Sequence, residues 1–220
     1  MHRVGVSYRR ARIGPSAAHL LRLKFGGVLT HAGNAHDVTS AEGIVAVAQQ
    51  EAAILGWLRE EIGGDEYEVS TVTAGSTLTA PYLSAADGIT EIRPGISIYN
   101  NLRMVAIWSA SVDQIAASAL VTVASVEGER GTVDAGSKTL TMTKEQVVDF
   151  GHALHDPSMV VRRLWEEHGV LSGDHRDVGE RLRFLPIHVC VWMDLQPAVY
   201  GIRANQVVER IEVAAMRHSL

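Results

Sequence analysis

Apolar and polar positions follow two different periods along this chain. Phe25 to His31 (FGGVLTH) is a short apolar run with β-branched residues and flanking glycines, which predicts a buried strand. Ala32 to Val38 forms a loop, and Thr39 with Glu42 has the spacing of a capping box. From Ile44 to Leu58 apolar residues recur at helical spacing until Gly63-Gly64, which predicts a helix. Tyr67 to Thr73 (YEVSTVT) predicts a second strand that runs into the small polar loop Gly75-Ser76-Thr77. Strand, helix, strand is a parallel α/β unit. A third short strand at Glu91 to Arg93 ends at Pro94-Gly95, and Ile96 to Tyr99 continues in extended form.

Beyond a linking stretch with room for a short helix near Ser111 to Ser118, alternation replaces the helical period. Ala119 to Val126 and Gly131 to Asp134 pair as a hairpin across Gly128-Glu129-Arg130. Arg181 to Phe184, His188 to Leu195, Ala198 to Ile202 and Val207 to Val213 are further short strands. The expected organisation is α/β over residues 1–100 and an antiparallel β domain over 101–220. Arg3-Val4-Gly5-Val6 resembles the tail of a strand already under way. About three βα units precede the β domain, against eight in a closed barrel, so both sheet edges stay open unless another segment or chain covers them.

Composition narrows the function classes. With 220 residues, 46% of them hydrophobic and 20% charged, the chain can bury a real core. A net charge of −5 with scattered arginines offers no footprint for a phosphate backbone, so nucleic acid is not an expected partner. The single cysteine, Cys190, excludes an intrachain disulfide and fits a reducing compartment. No apolar run approaches the roughly 20 residues of a membrane span, and no signal core follows Met1, so the expected location is cytoplasmic and away from membranes. Only Lys24, Lys138 and Lys144 are lysines; the other basic residues are arginines.

Several places could carry chemistry. In a strand, His188 and Cys190 would project from one face, and a nitrogen beside a sulfur favours zinc, although the pair is also open to an accidental reading. Two ligands are too few for a closed structural site and leave positions for water or substrate. Gly75, Ser76 and Thr77 offer backbone amides and hydroxyls to a phosphate, or make an ordinary βα turn. His31 stands at the carboxyl end of its strand, where it is either a reacting group or a hydrogen-bonded core residue. Asp134 to Lys138 and Glu166 to Gly169 place acid, base and amine groups near strand ends, where turn chemistry would equally account for them.

Taken in order, HRVGV, GVLTHAG, AQQEAAIL, AGSTLTA, GITEIRPG, TVDAGSKTLT with EEHGVL, and LPIHVC with VYGIRANQVVERIEVAA resemble the D-threonine aldolase and D-serine dehydratase family. The resemblance implies a partial (β/α) barrel of the alanine-racemase type followed by an antiparallel β domain. It implies a pyridoxal phosphate enzyme with zinc or manganese, a small D-amino acid as substrate, and a homodimer or a chain completed by an upstream segment. The phosphate maps to Gly75, Ser76 and Thr77 and the metal to His188 and Cys190; His31 and Asp134, at their strand ends, are the candidate catalytic residues. Ile187 stands where the family usually has Asn, Asn34-Ala35-His36 departs from a motif that continues to a tyrosine, and Leu78 replaces a common proline. The family's Schiff-base lysine lies upstream of HRVGV, and none of the three lysines here takes its place. The expectation is therefore a metal-assisted lyase of β-hydroxy D-amino acids, inactive as this chain alone, with a noncatalytic metal-binding remnant or partner subunit as the alternative. A pyridoxal-independent metal hydrolase is a weaker third reading, because no general base stands beside the metal pair.

Overall fold

A computed structural model describes residues 25–63, 68–143, 149–173 and 177–216. The strand expected at Arg3 to Val6 lies outside these residues, as do Lys24 and Lys144. The chain forms two compact units: one holds Glu42–Arg93 with the chain up to Asp37, the other Val38–Ala41 and Pro94–Leu220.

In the first unit, strand β1 (Gly27–Leu29) leads to helix α1 (Ala41–Ile62), then to β2 (Thr71–Ala74) and β3 (Glu91–Ile92). The three strands form a parallel sheet in the order β1-β2-β3, with Val28 opposite Val72 and Thr73 opposite Glu91. Helix α1 buries Ile44, Ala48, Glu51 and Leu55, positions three and four apart that make one stripe. Leu55 packs with Val28, Val69, Val72, Ala74 and Ile89. The helix stops at Gly63, whose amide donates to the Arg59 carbonyl (2.8 Å). β1 is shorter than the run Phe25 to His31 suggested. At its start Gly27 has φ +148°, and a Cβ there would sit 2.0 Å from the Thr71 carbonyl oxygen. Only glycine lets the two strands approach so closely.

The second unit opens with helix α2 (Leu102–Ala106), capped by Asn101, whose side chain accepts from the Met104 amide (3.0 Å). Strands β4 (Ala119–Glu127) and β5 (Arg130–Val133) form the expected hairpin, turning at Gly128 with φ +59°. A short helix α3 (Ser137–Leu140) follows, then β6 (Val160–Leu164), β7 (Gly169–Ser172) and β8 (Arg181–Phe184). These strands make one antiparallel sheet in the order β6-β7-β5-β4-β8. Ala119, Val121 and Val123 point alternately inward from β4 and meet Val133, Val161, Leu171 and Phe184 in the core. Helix α4 (Val189–Asp194) and a hairpin of β9 (Ala198–Arg203) and β10 (Gln206–Glu212) complete the unit.

Three local expectations are corrected. His188 to Leu195 is not a strand: α4 occupies it, because a helical turn buries Val189 and Trp192, three apart, on one side. β-branched Val189 and Val191 suggested a strand, but this packing outweighs intrinsic propensity. Ile96 to Tyr99 is a 3₁₀ turn over Ile96–Ile98, and only Val112–Gln114 is helical between Ser111 and Ser118, also as a 3₁₀ turn. Strand β6 had no counterpart in the sequence reading.

Candidate functional site

The carboxyl ends of β1, β2 and β3 bring Thr30-His31, the loop Gly75–Thr79 and Arg93 together in the first unit. They are organised by a residue absent from the sequence expectations, Glu51. It lies on the buried stripe of α1, 4% exposed, and reaches the strand ends with both carboxylate oxygens. Oε1 accepts from the Thr30 hydroxyl (2.7 Å) and the Gly75 amide (3.2 Å), and Oε2 accepts from the Thr79 hydroxyl (2.8 Å). A charged residue in phase with Ile44, Ala48 and Leu55 is the sequence signal that could have found it, since a carboxylate is buried only when its oxygens are satisfied.

The loop after β2 is built from inside. Ser76 is buried, its hydroxyl lies 3.1 Å from the Thr79 hydroxyl, and the Thr79 amide donates to Ser76 Oγ (3.2 Å). The Ala80 amide closes the turn on the Ser76 carbonyl (3.1 Å). Among the described residues the amides of Ser76 and Thr77 have no backbone partner, and Thr77 Oγ1 is buried with no hydrogen bond. Gly75 is confined by its neighbour strand, for a Cβ there would lie 3.0 Å from the Arg93 Cβ. Arg93 donates from Nε to the Thr73 hydroxyl (3.2 Å) and from its terminal nitrogen to the Thr30 carbonyl. These bonds hold an exposed guanidinium beside the loop. His31 is exposed and lines, with Asn34, Gln50 and Glu51, a cavity of about 250 Å³. His31 and Gly75–Thr77 thus follow the carboxyl ends of two neighbouring parallel strands, with Glu51 and Arg93 bonded between those ends.

The remaining candidates belong to the second unit. His188, half-buried, precedes the first residue of α4 in extended conformation (φ −140°, ψ 97°), and Cys190 lies in the first turn. His188 and Cys190 therefore do not share a strand face. Cys190 is an exposed free cysteine, yet protein atoms crowd its sulfur enough that burial pushes the thiol pKa above its ordinary value of 9.0. Among the described residues no group of three or more His, Cys, Asp or Glu is placed to hold a metal ion. Asp134 follows β5 and is exposed; its Oδ1 accepts from the Thr122 amide (2.6 Å), which joins it to β4. The two other suspect segments meet each other: Ser137 and Lys138 donate amide hydrogens to the Trp165 and Glu166 carbonyls (2.7 and 3.2 Å). Gly136 permits this contact, because a Cβ would lie 2.3 Å from the Trp165 oxygen. Lys138 Nζ is 2.7 Å from Glu167, whose pKa it lowers by hydrogen bond and charge, an exposed pair of little energetic weight.

Residues 116–202 match the family described as "Putative serine dehydratase domain". D-threo-3-hydroxyaspartate dehydratase of Delftia sp. (strain HT23) is 31% identical over 212 residues, covering 86% of this chain and 56% of that protein. D-serine dehydratase of Dictyostelium discoideum is 23% identical over 190 residues, covering 76% and 48%. The chain spans about half the length of the curated relatives it matches. The solved Delftia structure superposes at TM-score 0.80 with 29% identity, over 90% of this chain and 57% of that one. Mutants of the same enzyme have been solved with alanine at a histidine and at a cysteine two positions further on, the latter in the metal-free form. D-threonine aldolase from Filomicrobium marinum (22% identity, TM-score 0.80, 93% of this chain and 57% of that one) shares the fold. So does an alanine-racemase-like protein from Idiomarina loihiensis (24%, TM-score 0.78, 86% and 55%).

Proposed function

Because residues 116–202 belong to the serine dehydratase domain family and the chain has an alanine-racemase-like fold, we propose that it serves a pyridoxal phosphate-dependent lyase of β-hydroxy D-amino acids. The observation that carries the reading is the loop Gly75–Thr79, tied to Glu51 from within and presenting unpartnered donors at Ser76 and Thr77. Such donors suit a phosphate: successive backbone amides converge on an anion, and an uncommitted hydroxyl supplies a further hydrogen bond. The fit extends to Arg93, whose positive charge is fixed beside the loop by Thr73 and Thr30. Pyridoxal phosphate, when bound, supplies the electron sink for breaking a bond at the substrate's Cα or Cβ.

This chain's own residues have separate tasks. Gly75, Ser76 and Thr77 hold the phosphate, and Glu51 keeps the loop in that shape. His31, exposed over its cavity, is the group placed to move a proton at an imidazole nitrogen. His188 and Cys190 are the two candidate ligands for zinc or manganese, supported by the histidine and cysteine mutants of the Delftia enzyme, two positions apart as here. For a metal the fit is incomplete, since no third donor joins them among the described residues, and no step is derived through it. Lys138 is engaged by Glu167 at the surface of the second unit, so none of the described residues offers the cofactor a free amine.

A fluorescence titration of the purified chain with pyridoxal phosphate tests this directly. Saturable binding that is lost in Gly75→Asp is the expected outcome. Failure of the unaltered chain to bind pyridoxal phosphate would sink the reading. Adding zinc with D-threo-3-hydroxyaspartate, D-serine or D-threonine and assaying for oxo acid or aldehyde then separates a working lyase from a noncatalytic subunit.

A further inference from the structure

A buried hydroxyl has one proton, and the direction of that proton decides what the group can offer a ligand. Thr79 is wholly buried with its Oγ1 2.8 Å from Glu51 Oε2. A carboxylate only accepts, so Thr79 is the donor and its proton is committed to Glu51. Ser76 Oγ lies 3.1 Å from that same Thr79 oxygen, which has only lone pairs left. Ser76 is therefore the donor of the second bond, and the Thr79 amide occupies one of its lone pairs at 3.2 Å. The Gly75 amide also turns inward, to Glu51 Oε1. What the loop has left is the amides of Ser76, Thr77 and Leu78 and the hydroxyl of Thr77, which is buried without a partner.

We propose that Glu51 is a positioning residue that points the Thr79 and Ser76 hydroxyl protons inward, so that the loop grips a phosphate through the Ser76 and Thr77 amides and the Thr77 hydroxyl rather than the Ser76 hydroxyl. The inference deepens the reading of this loop as a phosphate cradle and rests on it for the ligand. With Thr77 Oγ1 buried in the ligand-free chain, this grip requires a χ1 step that exchanges the Thr77 hydroxyl and methyl group. Replacing Glu51 by glutamine reverses the chain. Its amide nitrogen donates to Thr79, Thr79 turns its proton to Ser76, and the Ser76 proton is released.

The test is a set of titrations of the full chain with inorganic phosphate and with pyridoxal phosphate, each variant first checked by thermal melting. Thr77→Val should weaken phosphate binding about tenfold, the size of one lost hydrogen bond to a charged group. Ser76→Ala should change it by less than about threefold, the difference being that the Ser76 hydroxyl never reached the ligand. In the Glu51→Gln background the Thr77→Val loss should shrink to about threefold, a coupling that a merely structural Glu51 would not produce. Equal losses for Ser76→Ala and Thr77→Val, or the same Thr77→Val loss in both backgrounds, overturns the proposal. A neutron structure of the ligand-free chain decides the point without any ligand: a deuteron on Ser76 Oγ directed at Thr79 is expected, and one on Thr79 directed at Ser76 refutes it. If neither phosphate nor pyridoxal phosphate binds the unaltered chain, the phosphate-cradle reading fails, while the neutron map still tests the hydroxyl order.

Discussion

Ile187 is fully buried against Leu102 and Leu185, at a position where the family resemblance leads one to expect asparagine. Its surroundings in that cluster are apolar, so an amide there would lose burial and leave polar atoms dry. Ile187→Asn is expected to lower stability by about 3 kcal/mol, read from the urea midpoint at constant m-value. Cys190, three residues on, makes a pH prediction. Burial raises its folded pKa above 9.0, so the stability of the neutral thiol is whole below that pH. It is lost as pH rises from 9.0 through the higher folded value, because the unfolded chain ionises first. Between pH 8 and 10 the urea midpoint of the parent should fall more than that of Cys190→Ser. Equal slopes would mean that the thiol does not take part.

Elements show where the sequence spoke clearly. Helix α1 was legible because four buried positions share one stripe and Gly63 ends it, and the β4–β5 hairpin because β4 alternates and glycine follows. Strand β8 was read to the residue, since Leu182 and Phe184 alternate with arginines. Val189-Cys190-Val191 satisfies a strand's composition, whereas the joint burial of Val189 and Trp192 that makes α4 a helix depends on the core they meet. In the candidate site, the Gly75–Thr77 loop was legible from its glycine and hydroxyls. Glu51 was not, because its partners lie 21, 24 and 28 residues away in sequence. The β9–β10 hairpin turns at Ala204-Asn205, both with positive φ (47° and 60°). Alanine is poorly suited to that conformation, so Ala204→Gly should strengthen the hairpin by about 1 kcal/mol. Hydrogen exchange of the Ile202 and Val207 amides is the measurement, and unchanged protection would count against a strained turn.

At the scale of the whole molecule, charge is the property that acts at a distance. The formal charge is −5 at pH 7 and the isoelectric point about 6.0, so carboxylates outnumber cations under neutral conditions. Ile98, Trp108, Leu120, Tyr200 and Val207 are exposed apolar side chains whose attraction between molecules the net charge must oppose. Solubility should pass through a minimum near pH 6.0 and recover above pH 7, as light scattering at fixed concentration would record. A minimum displaced by more than about one pH unit would show that local patches, not net charge, govern association. No helix among the described residues is long and apolar enough to cross a membrane.

The two sheets with outermost strands of very different length differ in their exposure to amyloid-like templating. Among the described residues β1 and β3 are the outermost strands of the parallel sheet and offer a stray chain three and two residues of ladder, too little to nucleate growth. β10 offers seven residues, all exposed, with Val207, Val208 and Ile211 among them. Fibrillation, where it occurs, should therefore start from the carboxy-terminal hairpin, with Glu209, Arg210 and Glu212 as its gatekeepers.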